Sequence, residues 1–192
     1  MTPTDDPDVQ LMLAVQRDDR GAFEALFRKY SRQLVGFARQ FVGSHARAEE
    51  LVQDIFLKIY HTRRRYVPRA RFATWLYRIA TNQCLSEVRR GEYHGRMISL
   101  DPPDDEDEAP LQFADPEARS SEDLLLGKEA AAKIRGVLES LPPQQRAALL
   151  LARAEGFSYD EVAETLGCSV SAVKSLVHRA TVTLRDRIGE PQ

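Results

Sequence analysis

Between Tyr159 and Arg179 the chain places small Ala163, Gly167 and buried-type Val173 at the spacing of two short helices that cross steeply. Ala163 leaves room for a neighbouring backbone, and Gly167 accepts the left-handed turn between the helices. Val162, Leu166, Cys168, Val173 and Val177 supply the apolar contact. This is a helix-turn-helix pattern, and it makes a helix from about Val170 the one that enters a DNA major groove. Its outer face offers Ser171, Lys174, Ser175, His178 and Arg179, donors suited to phosphates and base edges.

A second stretch interleaves cations with flat rings: Arg63, Arg64, Arg65, Tyr66, Arg69, Arg71, Phe72, Trp75, Tyr77, Arg78, Asn82, Gln83, Arg89 and Arg90. Guanidinium groups meet phosphates and aromatic rings stack on unpaired bases, so this composition suits single-stranded nucleic acid. Trp75 and Ile79 also fall on an apolar stripe. On composition alone, part of this list reads equally as core with solvated arginines around it.

No constellation for catalysis is present. His45, His61, His94 and His178 are scattered, without the spacing that holds a metal, and no glycine-rich phosphate loop occurs. Cys84 and Cys168 occupy apolar helix and turn positions and read as small buried groups, outside any disulfide framework. The reading is of a non-enzymatic protein with no cofactor and no metal.

The elements that carry these residues are helical throughout. Phe23, Leu26, Phe27, Tyr30, Leu34, Phe37, Ala38 and Phe41 recur at three- and four-residue steps up to Gly43-Ser44. Leu51, Val52, Ile55, Phe56, Ile59 and Tyr60 draw a second helix, followed by a basic loop over 63–71 that Pro68 interrupts. Phe72, Trp75, Leu76, Ile79, Ala80, Cys84, Leu85 and Val88 draw a third, which Gly91 is expected to end. A run from Leu124 to Leu138, a restart at Pro142-Pro143, a capping box at Ser158–Glu161 and a helix from Val170 to Ile188 complete the chain.

Charge divides the 192 residues into blocks. Residues 1–99 carry 17 Lys/Arg and 11 Asp/Glu, residues 100–128 carry 2 and 10, and residues 129–192 carry 8 of each. The acidic segment also holds Pro102, Pro103, Pro110 and Pro116, so it is expected to be an extended, flexible linker. No apolar run is long enough to span a membrane, and the acidic start lacks the features of a signal peptide. A reduced, cytoplasmic protein is the expectation.

Taken together, the two helical blocks resemble the extracytoplasmic-function (ECF) group of sigma-70-type sigma factors. The resemblance rests on Ala48-Glu-Glu-Leu-Val-Gln-Asp-Ile-Phe-Leu-Lys-Ile-Tyr60, Phe72-Ala-Thr-Trp-Leu-Tyr-Arg-Ile-Ala-Thr-Asn82 and Leu141-Pro-Pro-Gln-Gln-Arg146, with the helix-turn-helix after them. It implies an all-α fold of two small helical domains: a sigma-2-like bundle over 8–95 and a sigma-4-like helix-turn-helix domain over 122–189, joined by the acidic linker over 96–121. It implies that Glu50, Gln53, Asp54 and Leu57 contact core RNA polymerase. Arg63, Arg64, Arg65, Tyr66, Arg69, Arg71, Trp75, Arg78, Asn82, Arg89 and Arg90 would meet the melted −10 element. Ser171, Lys174, Ser175, His178 and Arg179 would read the duplex −35 element. An anti-sigma factor and a role in a stress response are further implications. Leu176 and Ser86 depart from the residues common in that group. The acidic run Asp104, Asp105, Glu106, Asp107 and Glu108 is expected to act in a basic channel of the polymerase. The competing reading is a stand-alone helix-turn-helix repressor or activator, which requires a two-fold dimer. A single-strand RNA-binding protein would rest on the arginine–aromatic stretch alone.

Overall fold

The computed structural model describes residues 5–94, 132–153 and 155–189, and every regular element among them is helical. The first block contains α1 (Pro7–Gln16), α2 (Arg20–Val42), α3 (His45–Thr62) and α4 (Phe72–His94), with a 3-10 turn at Arg63–Arg65 after α3. The second contains α5, described over residues 132–140, then α6 (Pro143–Arg153), α7 (Tyr159–Leu166) and α8 (Val170–Gly189). The segment assigned as linker, with its Asp104–Glu108 run, lies outside the described residues.

Helices α2 and α3 form a hairpin because the chain supplies a stop and a start side by side. Gly43 takes φ 74°, a conformation open to glycine, and Ser44 accepts the amide of Arg47 to begin α3. The apolar stripes face each other, with Phe23 edge-on to Phe56 and Tyr60 at 6.0 and 5.3 Å. Each such ring pair adds about 0.5–1.5 kcal/mol beyond the area it buries. Helix α1 is an addition to the expected elements. Val9, Met12 and Val15 are fully buried, and Asp6 caps its first turn by accepting the amide of Asp8 at 3.0 Å.

Helix α4 is the spine of the molecule. Phe72, Leu76, Ala80 and Cys84 recur every four residues and face the first block, while Tyr77 faces the second. Burial pushes the Cys84 thiol up to about 12, which leaves it an inert core group; Cys168 is only half-buried. Helix α4 does not end at Gly91 as expected but continues to His94. A glycine inside a helix costs only about 1 kcal/mol relative to alanine, and pairing of Arg89 with Ser86 and Arg90 with Glu87 ties the last turns together.

In the second block the turn between α7 and α8 follows the sequence closely. Ser158 and Glu161 complete a reciprocal capping box, and Gly167 closes α7 at φ 64°, ψ 38°. Ser169 accepts the amide of Ala172 to start α8. Val162, Val173 and Ala180 are fully buried between the helices. The two blocks share one continuous apolar core. Arg146 of α6 pins them: its guanidinium is buried and donates to the carbonyls of Gln40 at 2.6 Å, Leu141 at 3.3 Å and Glu139. The Gln40 carbonyl belongs to the last turn of α2, where no helical amide can serve it.

At Gly167 a methyl group would meet no atom within 4 Å, so only backbone strain opposes it. Gly167→Ala is therefore expected to lower unfolding free energy by about 1–2 kcal/mol, read as an earlier urea midpoint at unchanged slope.

Candidate nucleic-acid and protein interfaces

The basic loop between α3 and α4 presents some of its arginines outward and one inward. Arg64, Arg65, Arg69 and Arg71 are exposed, as are Arg78, Asn82, Arg89 and Arg90 along α4. Arg63 is turned in: its side chain is 15% exposed, it lies 4.0 Å over the Tyr60 ring, and it donates to the Tyr60 carbonyl. Tyr66 is buried against Phe72 and Trp75, with Trp75 half-buried beside it at 4.7 Å. Burial and the neighbouring Asp6 push the Tyr66 hydroxyl up to about 12, so it stays protonated.

These residues border a cavity of about 220 Å³, lined by Arg65, Tyr66, Arg69, Thr74, Trp75 and Arg78 among others. That is below the roughly 300–1,000 Å³ typical of a drug-sized ligand site and suits a single planar ring. The hydroxyls of Tyr66 and Thr74 on its lining are buried and have no hydrogen-bond partner in the protein. Cations at the rim and aromatic rings at the wall are the chemistry for a base removed from its stack, and the two buried hydroxyls lie behind that wall. Thr74 was not legible as a site residue, because a lone threonine on a helix carries no pattern.

On α8 the expected face is exposed as a unit. Ser171, Lys174, Ser175, His178 and Arg179 point outward, and Val173, Val177 and Ala180 point in. Leu176, between them, is half-buried and packs on the core. The Ser175 hydroxyl donates to the Ser171 carbonyl at 3.1 Å, leaving its lone pairs outward.

A third surface lies on α3. Glu50, Gln53, Asp54 and Leu57 are exposed while Leu51, Val52, Ile55 and Ile59 are buried. Leu57 is 55% exposed and Phe27, on the adjoining α2, 39%. Glu50 accepts from Arg47 at 2.7 Å, and Arg47 also reaches Glu87 on α4, which fixes α3 against α4.

The second block covers one side of the loop. Phe37, Tyr77 and Phe157 stack edge to face across the boundary at 5.3 and 5.2 Å, and the Tyr77 hydroxyl donates to Glu155. Arg71 donates to Glu161 of α7 at 3.0 Å, and Glu164 of α7 reaches the edge of the cavity. The Arg71 side chain is 54% exposed, so that ion pair contributes at most about 1 kcal/mol. The buried rings hold the blocks together far more than the ion pair does. Burial works against the Glu161 carboxylate, yet bonds from Ser158 and the charge of Arg71 bring it below its ordinary value. Among the described residues no group of His, Cys, Asp and Glu is placed to hold a metal ion, and no helix is long and apolar enough to cross a membrane.

Residues 26–92 match the family described as Sigma-70 region 2, and residues 131–184 match Sigma-70, region 4. The chain is 33% identical over 190 residues to the ECF RNA polymerase sigma factor SigE of Mycolicibacterium smegmatis, covering 98% of this chain and 70% of that one. It is 33% identical over 184 residues to the RNA polymerase sigma-H factor of Pseudomonas aeruginosa, covering 92% and 91%. Among solved structures, CnrH in complex with the cytosolic domain of CnrY aligns with a TM-score of 0.68 at 25% identity, covering 96% of this chain and 98% of that one. The sigma factor RpoE of Bartonella quintana, in complex with the anti-sigma factor NepR, shares the fold at a TM-score of 0.66 and 24% identity, covering 88% and 98%.

Burial between the blocks raises the Glu155 carboxyl above its ordinary 4.5. A group raised in this way holds the packed state best when protonated. Its contribution is complete below 4.5 and is lost as pH rises through the raised value. Glu155→Gln keeps an acceptor for Tyr77 without a charge to bury. Urea unfolding from about pH 4.5 upward is expected to show the wild type falling progressively below this variant; a gap that does not change with pH would contradict it. Tyr77→Phe removes the donor and is expected to cost about 1 kcal/mol.

Proposed function

Because the chain belongs to the ECF RNA polymerase sigma factors, we propose that its surfaces divide promoter reading between them, with α3 docking on core polymerase, the 63–71 loop and α4 taking the melted −10 strand, and α8 entering the −35 major groove. The observation that carries this reading is the clean separation on α8: five polar or cationic side chains outward, three small apolar ones fully or almost fully buried. Helix α8 is thereby free to lie in a groove without disturbing the core. Relatives that are sigma factors along nearly the whole length favour this over a stand-alone helix-turn-helix regulator.

The chemistry assigned to the chain is binding and strand opening; bond formation belongs to the polymerase. Extruding a base costs a few kcal/mol, offset by a fitted cavity and by phosphate contacts from Arg64, Arg65, Arg69, Arg71 and Arg78. Gln53, Asp54 and Leu57 give the docking face a mixed polar and apolar character, and Arg89 and Arg90 lie near the duplex edge. Each DNA element alone is held weakly by one small domain, and the linker couples them through effective concentration. A cytoplasmic location and an anti-sigma partner belong to the same reading. The solved relative CnrH, held by the cytosolic domain of CnrY, supports a protein partner.

The packing of the two blocks bears on how the elements are reached. Elements about 25 bases apart are separated by roughly 85 Å of B-form helix at about 3.4 Å per base. A compact chain of 192 residues has a radius of gyration near 16 Å on the usual scaling, so the two blocks must part to read both.

Two experiments test the assignment. Size-exclusion co-elution with purified core polymerase is expected to be stoichiometric for the wild type and clearly weakened by the Gln53→Ala/Asp54→Ala pair; a folded wild type that never co-elutes overturns the reading. Lys174→Ala and Arg179→Ala are expected to cut −35-dependent transcription by roughly tenfold each, the scale of one lost base or phosphate contact, while co-elution stays intact.

A further inference from the structure

We infer that Gln16 and Asp18, at the end of α1, are positioning residues for the basic loop: they fix the backbone from Arg63 to Tyr66 and so decide which arginines of the loop face the nucleic acid. The inference rests on the −10 role assigned to that loop.

The loop has little to hold its own shape. Five of the nine residues from 63 to 71 are arginine, and their charges repel one another. One 3-10 turn, closed by the Tyr66 amide on the Arg63 carbonyl at 3.1 Å, is its regular structure. The constraint arrives from α1. The Gln16 carboxamide nitrogen donates to the carbonyl of Arg63 at 3.0 Å and to that of Tyr66 at 2.7 Å. Both of its hydrogens are used, and they clamp the two ends of the turn. A neutral nitrogen with two hydrogens is found only on asparagine and glutamine side chains, and lysine or arginine in its place would add charge to a crowded site.

Asp18 completes the clamp from the next turn. Its backbone is left-handed at φ 66°, and its carboxylate accepts from Arg63 Nε at 3.0 Å and Nη2 at 2.5 Å, and from Arg64 Nη2 at 3.4 Å. Hydrogen bonding from Arg63 holds the Asp18 carboxyl below its ordinary value. Arg63 is thereby spent inside the protein, bonded to Asp18 and the Tyr60 carbonyl and laid over the Tyr60 ring. Arg65, Arg69 and Arg71 are left to the outside, and Tyr66 is set beneath Trp75 at the cavity wall. In this arrangement Arg63 acts through the loop's shape and does not itself contact DNA.

The test uses the full chain with three variants. Gln16→Met keeps the length of the side chain and removes both donors. Asp18→Asn keeps a residue that tolerates the left-handed backbone and removes the charge. Arg63→Lys keeps the charge and removes the planar fork. The first readout is the rate of limited trypsin cleavage within 63–71, which follows the population of the opened loop. The second is discrimination by the reconstituted holoenzyme between a single-stranded −10 oligonucleotide and its base-substituted forms.

Cleavage is expected to rise about tenfold in Gln16→Met and severalfold in the other two, with −10 discrimination reduced in step. Thermal unfolding is expected to fall by only a few degrees, matching the bonds lost, and co-elution with core polymerase to stay at its wild-type value, which a general loss of structure would not allow. Should Gln16→Met fail to fold, Asp18→Asn, at an exposed turn, carries the same test. Unchanged cleavage and unchanged discrimination in the variants overturn the inference. Raised cleavage with a wild type that shows no −10 discrimination upholds the clamp and overturns the −10 assignment of the loop.

Discussion

The carboxylate of Asp6 is buried, and each of its oxygens starts a helix. Oδ1 accepts the amide of Asp8 at the head of α1, and Oδ2 accepts the amide of Phe72 at the head of α4, at 2.9 Å. Orphan amides at helix starts require such partners, and here one residue serves the helix that follows it and another that begins 66 positions further along the chain. The start of α4 is therefore fixed relative to α1, and the loop before it must span a set gap. The burial of Tyr66, the placing of Trp75 and the cavity beside them depend on that anchor. A second buried carboxylate near it, Asp8, is satisfied by Tyr30 at 2.5 Å and by Lys29, which ties α1 to α2. The desolvated Tyr30 hydroxyl, facing Asp8, is held strongly in its protonated form.

The two blocks meet through a different kind of contact. Phe37, Tyr77 and Phe157 present rings to one another, and the polar tip of Tyr77 finds Glu155. Apolar area dominates the energy at this boundary, while the polar pairs set the register. Arg146 acts likewise at the end of α2, over the Phe41 ring, filling carbonyls that would otherwise lack a partner. The burial that lowers the basicity of its guanidinium is tolerable because an arginine remains charged under all ordinary conditions.

Much of the helical architecture was legible because its signals are local. Stripes at three- and four-residue steps, the glycines at 43 and 167 and the Ser158–Glu161 box each act within one or two turns, and the structure follows them. The polar face of α8 and the outward face of α3 were legible for the same reason, since a buried stripe defines its own opposite side. Helix α1 was not, because Leu11, Leu13 and Ala14 surround Val9, Met12 and Val15 and blur the stripe. The continuation through Gly91 leaves no local signal, because a glycine is only a weak breaker inside a helix. The aromatic–arginine stretch announced its composition but not its orientation. That Tyr66 and Arg63 face inward while Arg65 and Arg69 face outward depends on Gln16, Asp6 and Asp18, about 45 to 66 positions away. The contact of Tyr77 with Glu155 spans 78 positions and leaves no periodic trace.

Glu161 belongs to two structures at once. It is the third residue of α7, where its carboxylate receives the Ser158 amide at 2.9 Å, and it is also the partner of Arg71 across the block boundary. A substitution at this position would alter the start of a helix in the DNA-reading turn and the contact between the blocks in the same stroke. Sequence change here is consequently doubly constrained: drift that retunes one property is filtered by the other. Glu164, one turn further along α7, reaches the cavity edge without any capping duty. A substitution at Glu164 would therefore alter the cavity edge while leaving the start of α7 untouched.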